Sequence, residues 1–219
     1  MKTSDKTVKV WDPIVRIGHW TLVLAFFIAY FTEDELLTLH VWAGYVVGAV
    51  ICIRLLWGFV GTRHARFSDF VRSPTAVLRY IRDIIGKRPK RYIGHNPAGG
   101  LMILALLASI LVTTYSGLLL YAIEENAGPL SGWLGEYTAP SLLLSPSANA
   151  YADEDDDEDE HGDEDDGREE FWEEIHEFFS NLTLLLVGLH VTGVLVSSYS
   201  HKENLIKAMI TGRKRGDTD

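Results

Sequence analysis

LMILALLASILVTTYSGLLLYAI, residues Leu101–Ile123, contains no charged side chain. A helix needs about 20 mostly apolar residues to cross the hydrocarbon core of a bilayer, so this run reads as a membrane span. Asn96 and Pro97 precede it as a natural N-cap and first helical residue, which sets the span at about Pro97 to Ile123. Three more segments meet the same criterion: about Pro13 to Phe31, about Leu36 to Val60 and about Phe171 to Tyr199. The alternative, four buried helices of a soluble core, fails because a 219-residue chain has too little left to cover them. The predicted fold class is therefore an all-α membrane protein, a single four-helix domain over residues 1–219.

The formal net charge of −10 suggests an acidic soluble protein, but the charge is concentrated. Residues Asp153 to Glu170 hold 14 of the 30 acidic residues and one basic residue, Arg168. The rest is mildly basic. Such a tract cannot bury apolar surface, and it reads as a disordered insert, 153–170, within a longer outer loop, 124–170. A nucleic-acid partner is not expected.

Lys and Arg in short loops set orientation. Lys2, Lys6, Lys9 and Arg16 precede or open the first helix. The second connection carries Arg63, Arg66, Arg72, Arg79, Arg82, Lys87, Arg88, Lys90 and Arg91, and the tail carries Lys202, Lys207, Arg213, Lys214 and Arg215. The first connection has Glu33, Asp34 and Glu35 and no base; the third holds the acidic insert. Both termini are expected in the cytoplasm, and the acidic loop outside. The polar start, Met1 to Lys9, leads into an apolar run without a small-residue cleavage site, so that run reads as a retained anchor. Within the basic connection, Ser73 and Pro74 signal a short helix. Val77, Leu78, Ile81, Ile84 and Ile85 share one face and Arg79, Arg82 and Asp83 lie off it, the pattern of an interfacial helix.

Cys52 is the single cysteine, so an intrachain disulfide is impossible. No C-x-x-C-H run is present for covalent haem attachment.

Of eight histidines, His19, His40, His176 and His190 lie in or at the edge of the spans, where ionisable groups are costly and usually functional. Any one of them alone is better read as a polar residue bonded to a neighbouring helix. Their depths change that. His19 and His190 fall in the inner half, His40 and His176 in the outer half. His176 and His190 are 14 residues apart, close to four turns, so they face one side about 21 Å apart along the axis. Two imidazoles facing each other at one depth are what a six-coordinate haem iron requires. Two such pairs stack two haems along the membrane normal. Gly18, Gly44, Gly48, Gly188 and Gly193 fit a flat macrocycle or, equally, plain helix packing. Trp20, Trp42 and Trp172 line such a group or belong to the interfacial belt.

These residues sit in VWDPIVRIGHW (10–20), HVWAGYVVGAVICIRLLWGFVGTRHARFSDF (40–70), YIGHNPAGG (92–100) and EEIHEFFSNLTLLLVGLHVTGVLVSSYSHKENLIKAMITGRK (173–214). Together they resemble the bacterial cytochrome b561 and nickel-iron hydrogenase b-type cytochrome family. The resemblance covers nearly everything except Glu124 to Glu170. It implies four helices, two non-covalent b haems, and axial pairs His19 with His190 and His40 with His176.

His95, in GHNP, is either a helix-start residue or a neighbour of the inner haem propionates or of a quinone headgroup. Arg16 and Arg54 either pair with propionates through a planar donor fork or snorkel to lipid headgroups. His64 and His201 read as interfacial or solvated. His161 lies in the acidic tract, which is solvated or a loose cation binder.

The function expected is electron transfer across the cytoplasmic membrane. It runs between a quinone pool and a periplasmic c-type cytochrome or, as the resemblance allows, a hydrogenase-type redox subunit. Whether the chain is a plain carrier or an oxidoreductase subunit is left open. A superoxide:quinone oxidoreductase is the first alternative, but the acidic outer face repels an anion. A divalent-metal transporter is the second, opposed by the lack of carboxylates inside the spans and by the family resemblance.

Overall fold

The computed structural model describes residues 7–33, 36–86, 90–132 and 160–216, with backbone alone for 160–166. In chain order the elements are β1 (Thr7–Lys9), α1 (Pro13–Tyr30), α2 (Leu37–Val60), a 3-10 turn (Arg63–Ala65), α3 (Phe67–Phe70), α4 (Pro74–Ile85), α5 (Pro97–Glu124), α6 (Glu160–His201), α7 (Leu205–Thr211) and β2 (Arg213–Arg215).

Among the described residues, four helices are long and apolar enough to cross a membrane: Pro13–Tyr30, Leu37–Val60, Pro97–Glu124 and Gly167–His201. At most 28% of any span window is buried within the protein. Trp42, Leu56 and Phe59 are among many large apolar side chains left exposed. Only an apolar solvent makes such a surface stable. The first three spans lie within a residue of their sequence-based bounds, the ordinary uncertainty of helix ends.

The fourth helix departs from expectation. It was placed from about Phe171, yet the backbone is helical from Glu160. Residues 160–170 of the insert expected to be disordered are thus its first turns; residues 153–159 lie outside the described residues. Composition argues disorder because the tract buries nothing. Against that, glutamate is a good helix former, and carboxylates near a helix N-terminus complement its dipole. A long apolar helix already nucleated downstream lets these terms prevail, since propagation is cheap once a nucleus exists.

By Cα packing the chain forms two units, Met1–Leu111 with Asn181–Asp219, and Val112–Ser180. In the first, α1 and α2 pack around Ala25, Val47, Ile51, Leu107 and Ile110. Ser109 and Thr183 share a buried hydrogen bond of 2.7 Å, and Tyr30 donates to Asn181 Oδ1 at 3.0 Å. Inside an apolar body such polar pairs fix the register of neighbouring helices.

One end of this unit is stitched by local and distant bonds. Asp12 caps α1, accepting from Val15 N at 3.0 Å, and also accepts from Trp57 Nε1 at 3.1 Å and Thr62 Oγ1 at 2.6 Å. It thereby ties the start of α1 to the end of α2. Asn96 Oδ1 accepts from Gly99 N at 2.7 Å, the cap expected for α5. Gly212, at φ 78°, ends α7 in the left-handed region, which a side chain resists; a Cβ there would also meet the Trp11 carbonyl at 2.7 Å. Its own carbonyl accepts from Val10 N and Trp11 N. β2 then pairs antiparallel with β1, Val8 opposite Lys214. Residues 7–9 and 213–215 therefore lie side by side.

In the second unit α5 carries Thr113, Ser116 and Gly117, and α6 carries Trp172 and His176. Tyr115 and Trp172 meet edge to face, ring centres 6.1 Å apart.

Candidate functional site

His19 on α1 and His190 on α6 face each other with ring centres 6.5 Å apart and planes 52° apart. A metal–nitrogen bond to histidine is about 2 Å, so two imidazoles on opposite sides of one iron have ring centres about 6 Å apart. The observed pair is therefore already close to ligand spacing. His19 Nδ1 is buried, with no hydrogen-bond partner among the described residues. Trp20 stands edge-on to the His19 ring at 5.1 Å.

The other two histidines are held differently. His40 Nδ1 lies 3.0 Å from the Ala29 carbonyl of α1. A carbonyl only accepts, so Nδ1 donates and the lone pair of the neutral ring resides on Nε2. His176 Nδ1 lies 2.9 Å from the Thr113 carbonyl of α5 and 3.2 Å from Ser116 Oγ. Ser116 spends its own proton on the Val112 or Thr113 carbonyl, at 2.9 and 3.0 Å, so its oxygen accepts from His176. Both rings thus carry the outer-shell hydrogen bond that fixes the tautomer of metal-ligating histidines. Gly117 makes room for one of them: a Cβ there would sit 2.7 Å from His176 Cε1.

Thr113, Ser116 and Gly117 were missed from the sequence. Their i, i+3, i+4 spacing on an apolar helix was the available signal, since these positions share one face. Of the glycines considered, Gly44, Gly188 and Gly193 have nothing within 4 Å of a built Cβ, and Gly18 meets only Val50 at 3.6 Å. Open space beside Gly44 and Gly193, each about one turn from a histidine, suits a flat ring.

Arg16, Arg54 and His95 gather at the stitched end. Arg16 lies one turn before His19 and donates to the Ile210 carbonyl, while its Nε is buried without a partner among the described residues. Arg54 lies against the rings of Phe67 and Phe70, at 5.3 and 5.9 Å, with Nη1 likewise buried and unpartnered there. His95 sits between Trp11, at 4.4 Å, and Phe70, at 4.9 Å. Its Nδ1 is enclosed with no partner among the described residues. Burial, followed by the positive charges of Lys214 and Arg54, pushes the His95 pKa down to about 3. The ring is therefore neutral at physiological pH.

Lys214, which sequence reasoning did not single out, is buried. It donates to the Gly94 carbonyl at 3.2 Å and lies over Trp11 at 5.4 Å. Burial lowers its pKa, partly offset by Glu203. Burial works to raise the Asp12 pKa, but the bonds from Thr62, Val15 and Trp57 prevail and hold it below the usual carboxylate value. The net arrangement is a cationic, partly enclosed region in the unit that holds the His19–His190 pair. His64 is engaged elsewhere, its Nδ1 2.9 Å from Asp69. The side chain of His161 lies outside the described residues.

A family model described as prokaryotic cytochrome b561 matches residues 10–212. Among curated proteins, the probable Ni/Fe-hydrogenase B-type cytochrome subunit of Rhodobacter capsulatus is 29% identical over 175 residues, 63% of this chain and 65% of that one. Its counterpart in Azotobacter vinelandii is 27% identical over 165 residues, 60% of this chain and 68% of the relative. That of Rhizobium leguminosarum bv. viciae is 28% identical over 163 residues, 59% and 67%. The match thus spans about two thirds of each relative's length. No solved structure matches the chain significantly.

Proposed function

Because the chain belongs to the prokaryotic cytochrome b561 family, we propose that it is a two-haem membrane cytochrome that moves electrons between a quinone pool and a periplasmic redox partner. Membership makes it a membrane electron-transfer protein of b type; the number of haems, their ligands and the partners are the proposal. Haem b supplies the one-electron chemistry when bound. The chain's own residues supply position, dielectric and charge.

The observation that carries this reading is the 6.5 Å approach of His19 and His190, a spacing suited to one shared iron. His40 and His176 are assigned to the second, at the opposite depth, each pre-set by its Nδ1–carbonyl bond. Arg16, Arg54 and His95 are placed at the carboxylates of the inner group. Their buried donors need acceptors, since an unmade buried hydrogen bond costs about 1–3 kcal/mol. A quinone headgroup is the other acceptor that suits His95.

Both termini are placed in the cytoplasm, which the basic second connection and tail favour. The acidic tract then lies on the periplasmic side, where it steers a basic soluble partner such as a c-type cytochrome. The name of the relatives, hydrogenase cytochrome subunits, supports a hydrogenase-type redox subunit as the other partner.

A pyridine haemochrome assay on purified protein tests the core of the proposal. Two haems per chain are expected. His19→Ala and His190→Ala should each remove one spectral component, and His40→Ala and His176→Ala the other. One haem per wild-type chain, or equivalent spectral losses for His40→Ala and His190→Ala, would overturn the assignment.

A further inference from the structure

Helix α4 has three faces where the sequence suggested two. Val77 and Tyr80 are buried against the protein. Leu78, Ile81 and Ile85 form a separate stripe at i, i+3, i+7, and are 65%, 43% and 77% exposed. Arg79 and Arg82 are exposed beside it. Helix α7 repeats the design on a smaller scale: Ala208 is buried, while Ile206, Ile210 and Lys207 are exposed. Acidic competition is slight. Asp83 is the sole carboxylate of α4, and Asp69, before it, is engaged by Arg63 and His64.

The two helices belong to the same end of the molecule. Arg91, between α4 and α5, pairs with Glu203 before α7 at 3.1 Å and donates to the Arg215 carbonyl. At the end of α2, Phe59 and Val60 are likewise 73% and 72% exposed. A bilayer matches both parts of this surface, acyl chains for the isoleucines and headgroups for the arginines. An acidic soluble protein matches the arginines alone.

We propose that α4 and α7 form a collar seated at the headgroup–acyl boundary, with Leu78, Ile81 and Ile85 in the acyl layer and Arg79, Arg82 and Lys207 on anionic phospholipid headgroups. The amphipathic, arginine-bearing pattern is that of interfacial helices, and each basic residue near an anionic surface strengthens attachment about fivefold. The proposal rests on the placement of the four spans in a membrane.

Spin labels on the full chain in nanodiscs test both. One label is placed on the native Cys52, which is exposed on α2; the other at position 78 of the Cys52→Ser/Leu78→Cys protein. Oxygen and a water-soluble nickel chelate compete to relax them. The label at 78 should be reached by oxygen and shielded from nickel, more strongly as phosphatidylglycerol replaces phosphatidylcholine. Arg79→Gln/Arg82→Gln should reduce the dependence on lipid charge and weaken binding of fluorescent phosphatidylglycerol by about fivefold per arginine. Nickel access at 78 in both lipids, with Cys52 still oxygen-rich, would mean that the face meets water or an acidic protein, and would overturn the collar. Insensitivity of position 78 to lipid charge would overturn the headgroup contacts. Nickel access at Cys52 would instead overturn the placement of the spans.

Discussion

His176 and His19 are both imidazoles on apolar helices, yet the protein holds them by opposite means. His176 is anchored through Nδ1 to the Thr113 carbonyl and Ser116 hydroxyl, and its ring leans over Gly117. His40, at the same depth by sequence, has the matching bond to Ala29. His19 has no such bond among the described residues; its ring is set by Trp20 and by the facing His190. Around the first kind the ring orientation is fixed by backbone carbonyls in advance. Around the second, the guanidinium groups of Arg16 and Arg54 and the neutral ring of His95 carry buried nitrogens without a partner among the described residues. One site is organised from the ligand side, the other from the periphery of what it is proposed to hold.

The sharpest way to break this contrast is Gly117→Val. Its Cβ alone would meet the His176 ring at 2.7 Å, and two methyls add bulk at the same point. Overpacking of this kind typically costs about 1–3 kcal/mol, and here it falls on a proposed ligand. The variant should lose the outer spectral component and about half the haem, with the inner component intact. Retention of both components at wild-type content would show that the anchored geometry is dispensable.

A smaller effect is expected at the other site. Unfolded histidine takes up a proton near pH 6.5, whereas His95 in the folded protein resists it until about pH 3. Between those values the unfolded state binds more protons, so stability should fall on acidification by about 1.4 kcal/mol per pH unit from this residue. His95→Gln, neutral at all pH, should flatten that part of the acid-unfolding profile. Identical profiles for both proteins between pH 6 and pH 4 would remove His95 from the account.

The smallest effect belongs to the acidic tract. Deleting 153–166 should leave haem content unchanged and slow electron exchange with a basic cytochrome added outside right-side-out vesicles. The slowing should fade with salt, as screening over about 10 Å at 0.1 M requires. Equal rates at low salt would dismiss the tract as a docking element, and the absence of any exchange from that side would reverse the proposed orientation.

The spans were readable because a bilayer imposes a length on apolar runs, and nothing in a chain of this size imitates that. The helical homes of His19, His40, His176 and His190 followed. What stayed hidden was of two kinds. Contacts such as Lys214 with Gly94, Arg16 with Ile210 and Trp11 with His95 join residues far apart in the chain, and no local pattern announces them. Thr113, Ser116 and Gly117 looked like routine small residues in a span, although their common face was there to be noticed. The early start of α6 at Glu160 was obscured by composition, which speaks to burial and not to the cheapness of extending an existing helix. The single apolar face expected for α4 divided in two because Tyr80, a ring with a polar tip, turned inward beside Val77.

The pairing of β1 with β2 has a consequence for how the molecule is made. Residues 7–9 leave the ribosome long before their partners, 213–215. Throughout synthesis the Val10 and Trp11 amides lack the Gly212 carbonyl, and Trp11 lacks its cover from Lys214. The clasp is thus a contact of very large sequence separation, with a correspondingly late closure. A chain that stalls before its fourth helix is inserted stays unlatched, with its buried cationic end open to proteases.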